Sequence, residues 1–246
     1  YVSWSDGYKS GGFNYSPTTA LPSGAPTDDA IFEDEEVDAI ELGVKHTFWD
    51  GRGRGSAIIY RSELDNLQVT AWNGTNFVVG NAAELTVQGL ELEGLVAITD
   101  SLELGFNYNY LDHEFDSYPG APCTVVQLAA DAGCQNDFSG KRGAFAPEHS
   151  AAVNLHHSYD FQNWTLDTRI DVNYNDEMFL DTDLDEKTLQ DSYTKIDASV
   201  GLSSQDGRWN FVLYGRNLTD ETTYTMAADA PLSGGVYASW IEEPRI

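Results

Sequence analysis

The chain has 246 residues, of which 41% are hydrophobic and 12% aromatic, so it is long enough and apolar enough to fold rather than stay disordered. Asp and Glu number 40 against 13 Lys and Arg, a net charge of −27, which excludes the basic surface that nucleic acids require and attachment to anionic lipid by charge alone. No run approaches the roughly 18 apolar residues of a membrane-spanning helix, but strands that alternate apolar and polar residues cross bilayers at modest mean hydropathy.

Taken in order, the chain opens on a segment that reads as strand, 1–10, followed by a long polar and acidic connection, 11–35. In 36–50, Ile40, Leu42, Val44 and Phe48 share one parity, interrupted by His46, while Glu41, Gly43 and Lys45 share the other. A short turn at 50–53 leads to 54–66, and a long connection, 67–82, leads to 83–98. There Leu90, Leu92, Val96 and Ile98 oppose Glu91 and Glu93. After a turn at 99–100, segment 101–114 places Leu102, Leu104, Phe106, Tyr108 and Tyr110 against Glu103, Gly105, Asn107 and Asn109. The long connection 115–146 carries Cys123 and Cys134 in a polar stretch. A local disulfide in an oxidising compartment is the simplest reading of that pair, with two free thiols as the alternative.

Segment 147–160 holds adjacent His156 and His157, which a strand points to opposite faces, so they do not chelate one metal together. After a turn at Gln162, segment 163–177 shows the clearest alternation: Trp164, Leu166, Ile170, Val172 and Tyr174 against Thr165, Asp167, Arg169, Asp171 and Asn173, with Thr168 on the apolar side. The long connection 178–189 contains Asp181, Asp183 and Asp185, spaced like the start of a calcium loop. Glu186 and Ser192 stand where such a loop needs Gly and Glu, so this is read as a solvated acidic loop. Segment 190–204 sets Ile196, Ala198, Val200 and Leu202 against Asp197, Ser199, Gly201 and Ser203. A turn at 205–207, a strand at 208–217, a long connection at 218–235 and a tenth strand at 236–246 complete the chain.

Short and long connections alternate strictly. Up-and-down strands put every other link on the same side of a sheet, so one side carries tight turns and the other large loops. A soluble sandwich has no reason to sort its loops that way; a transmembrane barrel does. Most segments exceed the five or six residues usual in soluble sheets, and several exceed the roughly 9–11 needed to cross a bilayer. Phe48, Trp49, Tyr159, Phe161, Trp164 and Trp209 flank the short turns and are expected to form one interfacial girdle. Tyr60, Tyr108, Tyr110 and Tyr174 lie toward the long loops and are expected to form the other. The expected fold is therefore all-β, an antiparallel up-and-down transmembrane barrel with about ten strands in this chain.

Glu41, Lys45, Glu91, Asp167, Arg169 and Asp171 are the candidate lumen-facing residues, available to a solute or to a second domain, or simply paired with one another along a polar wall. Nucleophile elbow, phosphate-binding loop and zinc pattern are all missing from the sequence, and Ser150 lacks the flanking glycines of an elbow. Among so many carboxylates a glycosidase-like pair is cheap to find and carries no weight. The reading is not an enzyme, and it calls for no cofactor.

Several segments, in matching order, resemble the C-terminal barrel of TonB-dependent receptors. YVSWSDGYKSGGFN at 1–14 is similar to a strand and loop start in that family, and AIELGVKHTFWDGR at 39–52 to its E-x-G-x-K strand. NAAELTVQGLELEG at 81–94 resembles the strand after a long loop. DFSGKRGAFAPEHSAAVNL at 137–155 resembles a strand start marked by Ala-Pro, and YGRNLTDETTY at 214–224 the N-L-T/F-D signature near the C-terminus. The resemblance implies that residues 1–246 are part of a barrel of about 22 strands, with its N-terminal plug domain and the end of its last strand outside the chain. It also implies import of a scarce nutrient, foremost an iron–siderophore complex, driven by the TonB complex across the bacterial outer membrane. Long loops would then be extracellular and short turns periplasmic. A passive pore or structural barrel, and further off a secreted β enzyme or binding module, are the competing functions.

Overall fold

The computed structural model describes residues 1–14, 30–72, 77–131, 133–230 and 237–241. Nine strands form one antiparallel sheet in chain order: β1 (Val2–Lys9), β2 (Glu35–Phe48), β3 (Gly53–Trp72), β4 (Phe77–Ala97), β5 (Leu102–Ser117), β6 (His149–Phe161), β7 (Trp164–Asn175), β8 (Tyr193–Ser204) and β9 (Asn210–Gly215). Each strand pairs with its sequence neighbours, so the sheet is an up-and-down meander with β1 and β9 at its edges. No helix among the described residues is long and apolar enough to cross a membrane, which says nothing about crossing by strands.

The pairing register carries the sequence alternation across the whole sheet. Val44, Ala57, Leu92, Tyr108, Ala151 and Tyr174 stand directly opposite one another on six successive strands. Val96, Leu104, Leu155, Ile170, Ala198 and Gly215 form a parallel row nearer the short turns. One face is thus a continuous apolar band, and its side chains are not covered by protein: Leu42 is 50% exposed, Val44 60% and Ile170 39%. At Gly53 and Gly94 a β-carbon would collide with the rings of Phe48 and Phe106, which lie across the bare backbone on this face.

The short turns are tight and use left-handed backbone. Trp49, Asp50 and Gly51 have φ of 53°, 52° and 89° between β2 and β3, Gln162 has 53° between β6 and β7, and Gly207 has 72° between β8 and β9. Beside them, rings pair: Phe48 with Trp49, Tyr159 with Phe161, and Trp209 with Phe211, at centroid distances of 5.1, 6.3 and 5.9 Å. At the other end of the apolar band, Tyr108 meets His149 Nδ1 through its hydroxyl at 2.9 Å. Tyr60 departs from expectation. It stands opposite Glu41 and Gly89, on the polar face, so it belongs to no lipid-side girdle.

Two further expectations are corrected. The connection at 67–82 is chiefly strand: β3 runs on to Trp72 and β4 starts at Phe77, after a bulge between Leu64 and Gln68 where Asn66 is left-handed. Alternation resumes past the bulge, with Val69 opposite Gly80 and Ala71 opposite Val78, so a hairpin overhangs the sheet. The tenth strand, Tyr237–Ile241, does not join the sheet. It pairs with Tyr224–Asp229, inside the expected 218–235 connection, to form a separate hairpin. Most of the 11–35 connection, and positions 236 and 242–246 of the tenth strand, fall outside the described residues.

Toward the long loops the apolar face ends in a row of carboxylates. Asp6, Asp38, Glu63, Thr86 and Glu114 are directly opposite across five strands. Like charges so placed repel. Asp38→Asn is therefore expected to stabilise the protein by about 0.2–1 kcal/mol at low ionic strength, with the gain fading in high salt; parallel denaturant titrations at two salt concentrations check it. The apolar band makes a second expectation. In lipid vesicles Ile170→Arg should cost about 2–4 kcal/mol of folding free energy, whereas Asp167→Arg, on the other face of the same strand, should cost far less. Equal costs would mean that the two faces see the same solvent.

Candidate functional site

The face opposite the apolar band is polar over most of its height. All six lumen candidates lie on it. Glu41 stands opposite Tyr60, Lys45 opposite Ser56, and Glu91 between Ile58 and Asn109. Asp167 lies between Ser158 and Gly201, Arg169 between His156 and Ser199, and Asp171 between Asn154 and Asp197. They fall into two groups. Near β1, the Tyr1 hydroxyl donates to Glu41, and Lys45 lies 5.8 Å from the centre of the Tyr1 ring. Ser3, Ser5, Glu41, Tyr60, Ser62 and Glu91 border a hollow of about 200 Å³. On β7, the Arg169 guanidinium donates to both oxygens of Asp171 at 2.8–3.0 Å, and His156 Nε2 lies 3.4 Å from Asp167. His157 faces the other way and stacks on Tyr159 at 6.3 Å.

Toward the long loops this same face turns apolar. Leu64, Leu85 and Phe115 stand in one cross-strand row. With Ala83 and Val87 they pack against Tyr118, Ala121 and Phe138 of the 118–148 connection. That connection therefore folds over the polar-face side of the sheet instead of standing free. Tyr118 is 3% exposed and Ala121 1%, and burial pushes the Tyr118 hydroxyl up to about 12.

Local chemistry holds the covering loop in shape. Cys123 and Cys134 are joined, with 6.3 Å between their α-carbons. Between them, helix α1 (Val125–Ala130) starts in a reciprocal cap: Gln127 N–H donates to Thr124 Oγ1, and Thr124 N–H donates to Gln127 Oε1. A helix of six residues does not persist by itself in water; the cross-link and cap fix it here.

The loops are also tied to one another. Val125 N–H donates to Asp229 Oδ2 at 2.6 Å, and Asp229 N–H donates to Asp181 Oδ2 at 3.1 Å. Phe145 N–H reaches Phe179 O at 2.8 Å, and Tyr224 N–H reaches Gln190 Oε1 at 2.9 Å. On the β3–β4 overhang, Asn14 takes the part of a strand neighbour, its amide donating to Val79 O and accepting from Val79 N–H. Asn81 does the same for Glu33, and Gln68 Nε2 donates to the carbonyls of Lys9, Ser10 and Glu33. None of these clamps carries a sequence signal beyond an amide residue in a loop or bulge.

The acidic 181–185 segment departs from a solvated loop. Asp183 is buried and Asp181 half-buried. Burial first, and then the Asp181 and Asp229 carboxylates, push Asp183 up from 3.8 to about 7. Burial likewise raises Asp181, against the pull of the Asp229 and Thr182 N–H groups.

A family model for the TonB dependent receptor-like β-barrel matches residues 1–218. The chain belongs to the TonB-dependent receptor β-barrel family. This is a family of outer-membrane receptors and transporters. Solved structures share the fold. The ferric yersiniabactin uptake receptor FyuA from Yersinia pestis matches over 99% of this chain and 33% of its own length, at 21% identity and TM-score 0.74. The siderophore receptor PiuA from Acinetobacter baumannii matches over 99% and 32%, at 21% identity and TM-score 0.69. The ferric-catecholate import receptor Fiu from E. coli K12, in its closed form, matches over 99% and 31%, at 17% identity and TM-score 0.64. This chain thus spans about a third of the length of these receptors.

Two outcomes test the loop assembly. Replacing Cys123 and Cys134 with Ser should lower the local stability of the 118–148 segment by about 2–3 kcal/mol, seen as faster amide exchange there with exchange in β5–β8 unchanged. Because the folded carboxyl of Asp183 binds its proton more tightly than the unfolded one, its contribution to loop stability is complete below 3.8 and is lost as pH rises through about 7. Amide exchange in 176–192 and 224–229, corrected for intrinsic rate, should show more opening at about pH 8 than at about pH 5, and Asp183→Asn should flatten that difference.

Proposed function

We propose that the chain is the C-terminal wall of an outer-membrane receptor that imports an iron–siderophore complex with energy from the TonB complex. One observation carries the reading: an apolar band, with His46, His157 and Thr168 set in it, on one face of nine strands, backed by a polar face, with interlocked loops at one end. Residues 1–246 would form part of a closed barrel of about 22 strands. Physical chemistry supports closure, since among the described residues β1 and β9 each have an outer edge unpaired within the sheet, and hydrocarbon tolerates no open backbone edge.

In that barrel the apolar band meets lipid, while Glu41, Lys45, Glu91, Asp167, Arg169 and Asp171 face the lumen and the plug domain. The long-loop end, with the cross-linked 118–148 segment, is extracellular, and the short turns are periplasmic. The wall performs no chemistry on its cargo. It binds, orients and excludes; the plug and the TonB complex supply the movement.

The test is accumulation of radioactive iron, presented as siderophore complexes, by cells whose only outer-membrane iron receptor is the complete protein. Uptake should fall to background when TonB is deleted or the proton gradient is collapsed. Uptake that continues without TonB would identify a passive pore and overturn the proposal.

A further inference from the structure

We infer that the cargo is a neutral or cationic metal chelate rather than a polyanionic one, an assignment that rests on the import reading above. The chain's charge of −27 is not spread evenly. On the long-loop side, the 176–192 segment has Lys187 as its one cation among acidic residues at 176, 177, 181, 183, 185, 186 and 191, of which Asp183 keeps its proton up to about pH 7. Two of the cations nearby are paired with carboxylates. Lys187 lies 3.7 Å from Asp185, and Arg142 lies 3.0 Å from Glu148.

The polar face has the same character. Asp171 and Asp197 stand directly opposite, while Arg169 is held by Asp171 and His156 by Asp167. Lys45 and Lys195 each lie over a tyrosine ring, 5.8 and 5.5 Å from its centre, on Tyr1 and Tyr193. Among the described residues, no Lys or Arg stands opposite another Lys or Arg in the nine-stranded sheet. Carboxylates outnumber cations in this wall and its loops, 40 against 13 over the chain, and the resulting negative field repels an approaching anion and concentrates a cation.

The experiment uses the complete receptor in a TonB-containing host without other iron receptors. Initial uptake is compared for a neutral ferric trihydroxamate, the same chelate bearing a protonated amine, and a trianionic ferric tris-catecholate, in sucrose medium and again with added salt. The first two should exceed the third by about tenfold or more, with salt closing the gap. Combined Glu177→Gln, Glu186→Gln and Asp191→Asn, all at exposed loop positions, should narrow the gap without salt at equal receptor abundance. TonB-dependent uptake of the trianion at an equal or greater rate overturns the charge assignment and leaves the import reading standing. Uptake that ignores TonB, or none of the three chelates either taken up or bound by the purified receptor, overturns the import reading and this assignment with it.

Discussion

Everything else in this structure depends on an unslipped hydrogen-bonded ladder. Side chains along a strand alternate with a period of two, so a shift of one residue in any pairing would turn that strand's apolar residues to the wrong face. Through the body of the sheet no such shift occurs. From β1 through β9 the partners of Leu42, Leu92, Phe106, Ile170 and Leu202 are apolar residues or glycines, while those of Glu93, Asn107 and Arg169 are polar or small. The bulges lie at the long-loop end of β3 and β4, beyond the apolar band. Register and solvent preference thus support one another, because the band pins the register and the register keeps the band continuous.

Above the band the physics changes. There the polar-face parity becomes Leu64, Leu85 and Phe115, and a conventional buried core forms against Tyr118, Ala121 and Phe138. The 118–148 loop supplies those three side chains to the core and leaves Val126 and Phe145 exposed. It is ordered by attachment: a disulfide, a capped single-turn helix, and side chains of Asp181, Asp229 and Gln190 that accept backbone N–H groups from neighbouring loops. The wall is held by its hydrogen-bonded ladder, whereas the cohesion of the loops depends on carboxylates and on pH.

The parts legible in the sequence were those governed by nearest neighbours. Alternation in 164–174 and 102–110 placed both strands and both faces, and the tight turns near Gly51, Gln162 and Gly207 were marked by abrupt breaks in it. Tyr60 was assigned to the wrong face because its aromatic character outweighed its parity with Ile58 and Ser62; cross-strand partners decide the matter, and sequence does not display them. The 67–82 stretch hid two strand ends because the bulge at Asn66 breaks the alternation that would have announced them. Asp183 looked solvated because acidic residues usually are; its carboxyl meets that of Asp229, 46 residues along the chain, and sequence does not display that meeting. Leu64, Leu85 and Phe115, standing at polar parity, were the one local sign that a loop must come down to cover them.

The central claim is that one face of the sheet is dissolved in lipid and the other is not. The most direct measurement attaches a nitroxide at each position from 164 to 175 in turn, in the complete protein reconstituted in a bilayer, and compares collision rates with oxygen and with a water-soluble nickel chelate. Oxygen accessibility should peak at 166, 168, 170 and 172, and fall at 165, 167, 169 and 171, with the nickel chelate excluded from the peaks. Equal access of the nickel chelate to both sets would contradict the account.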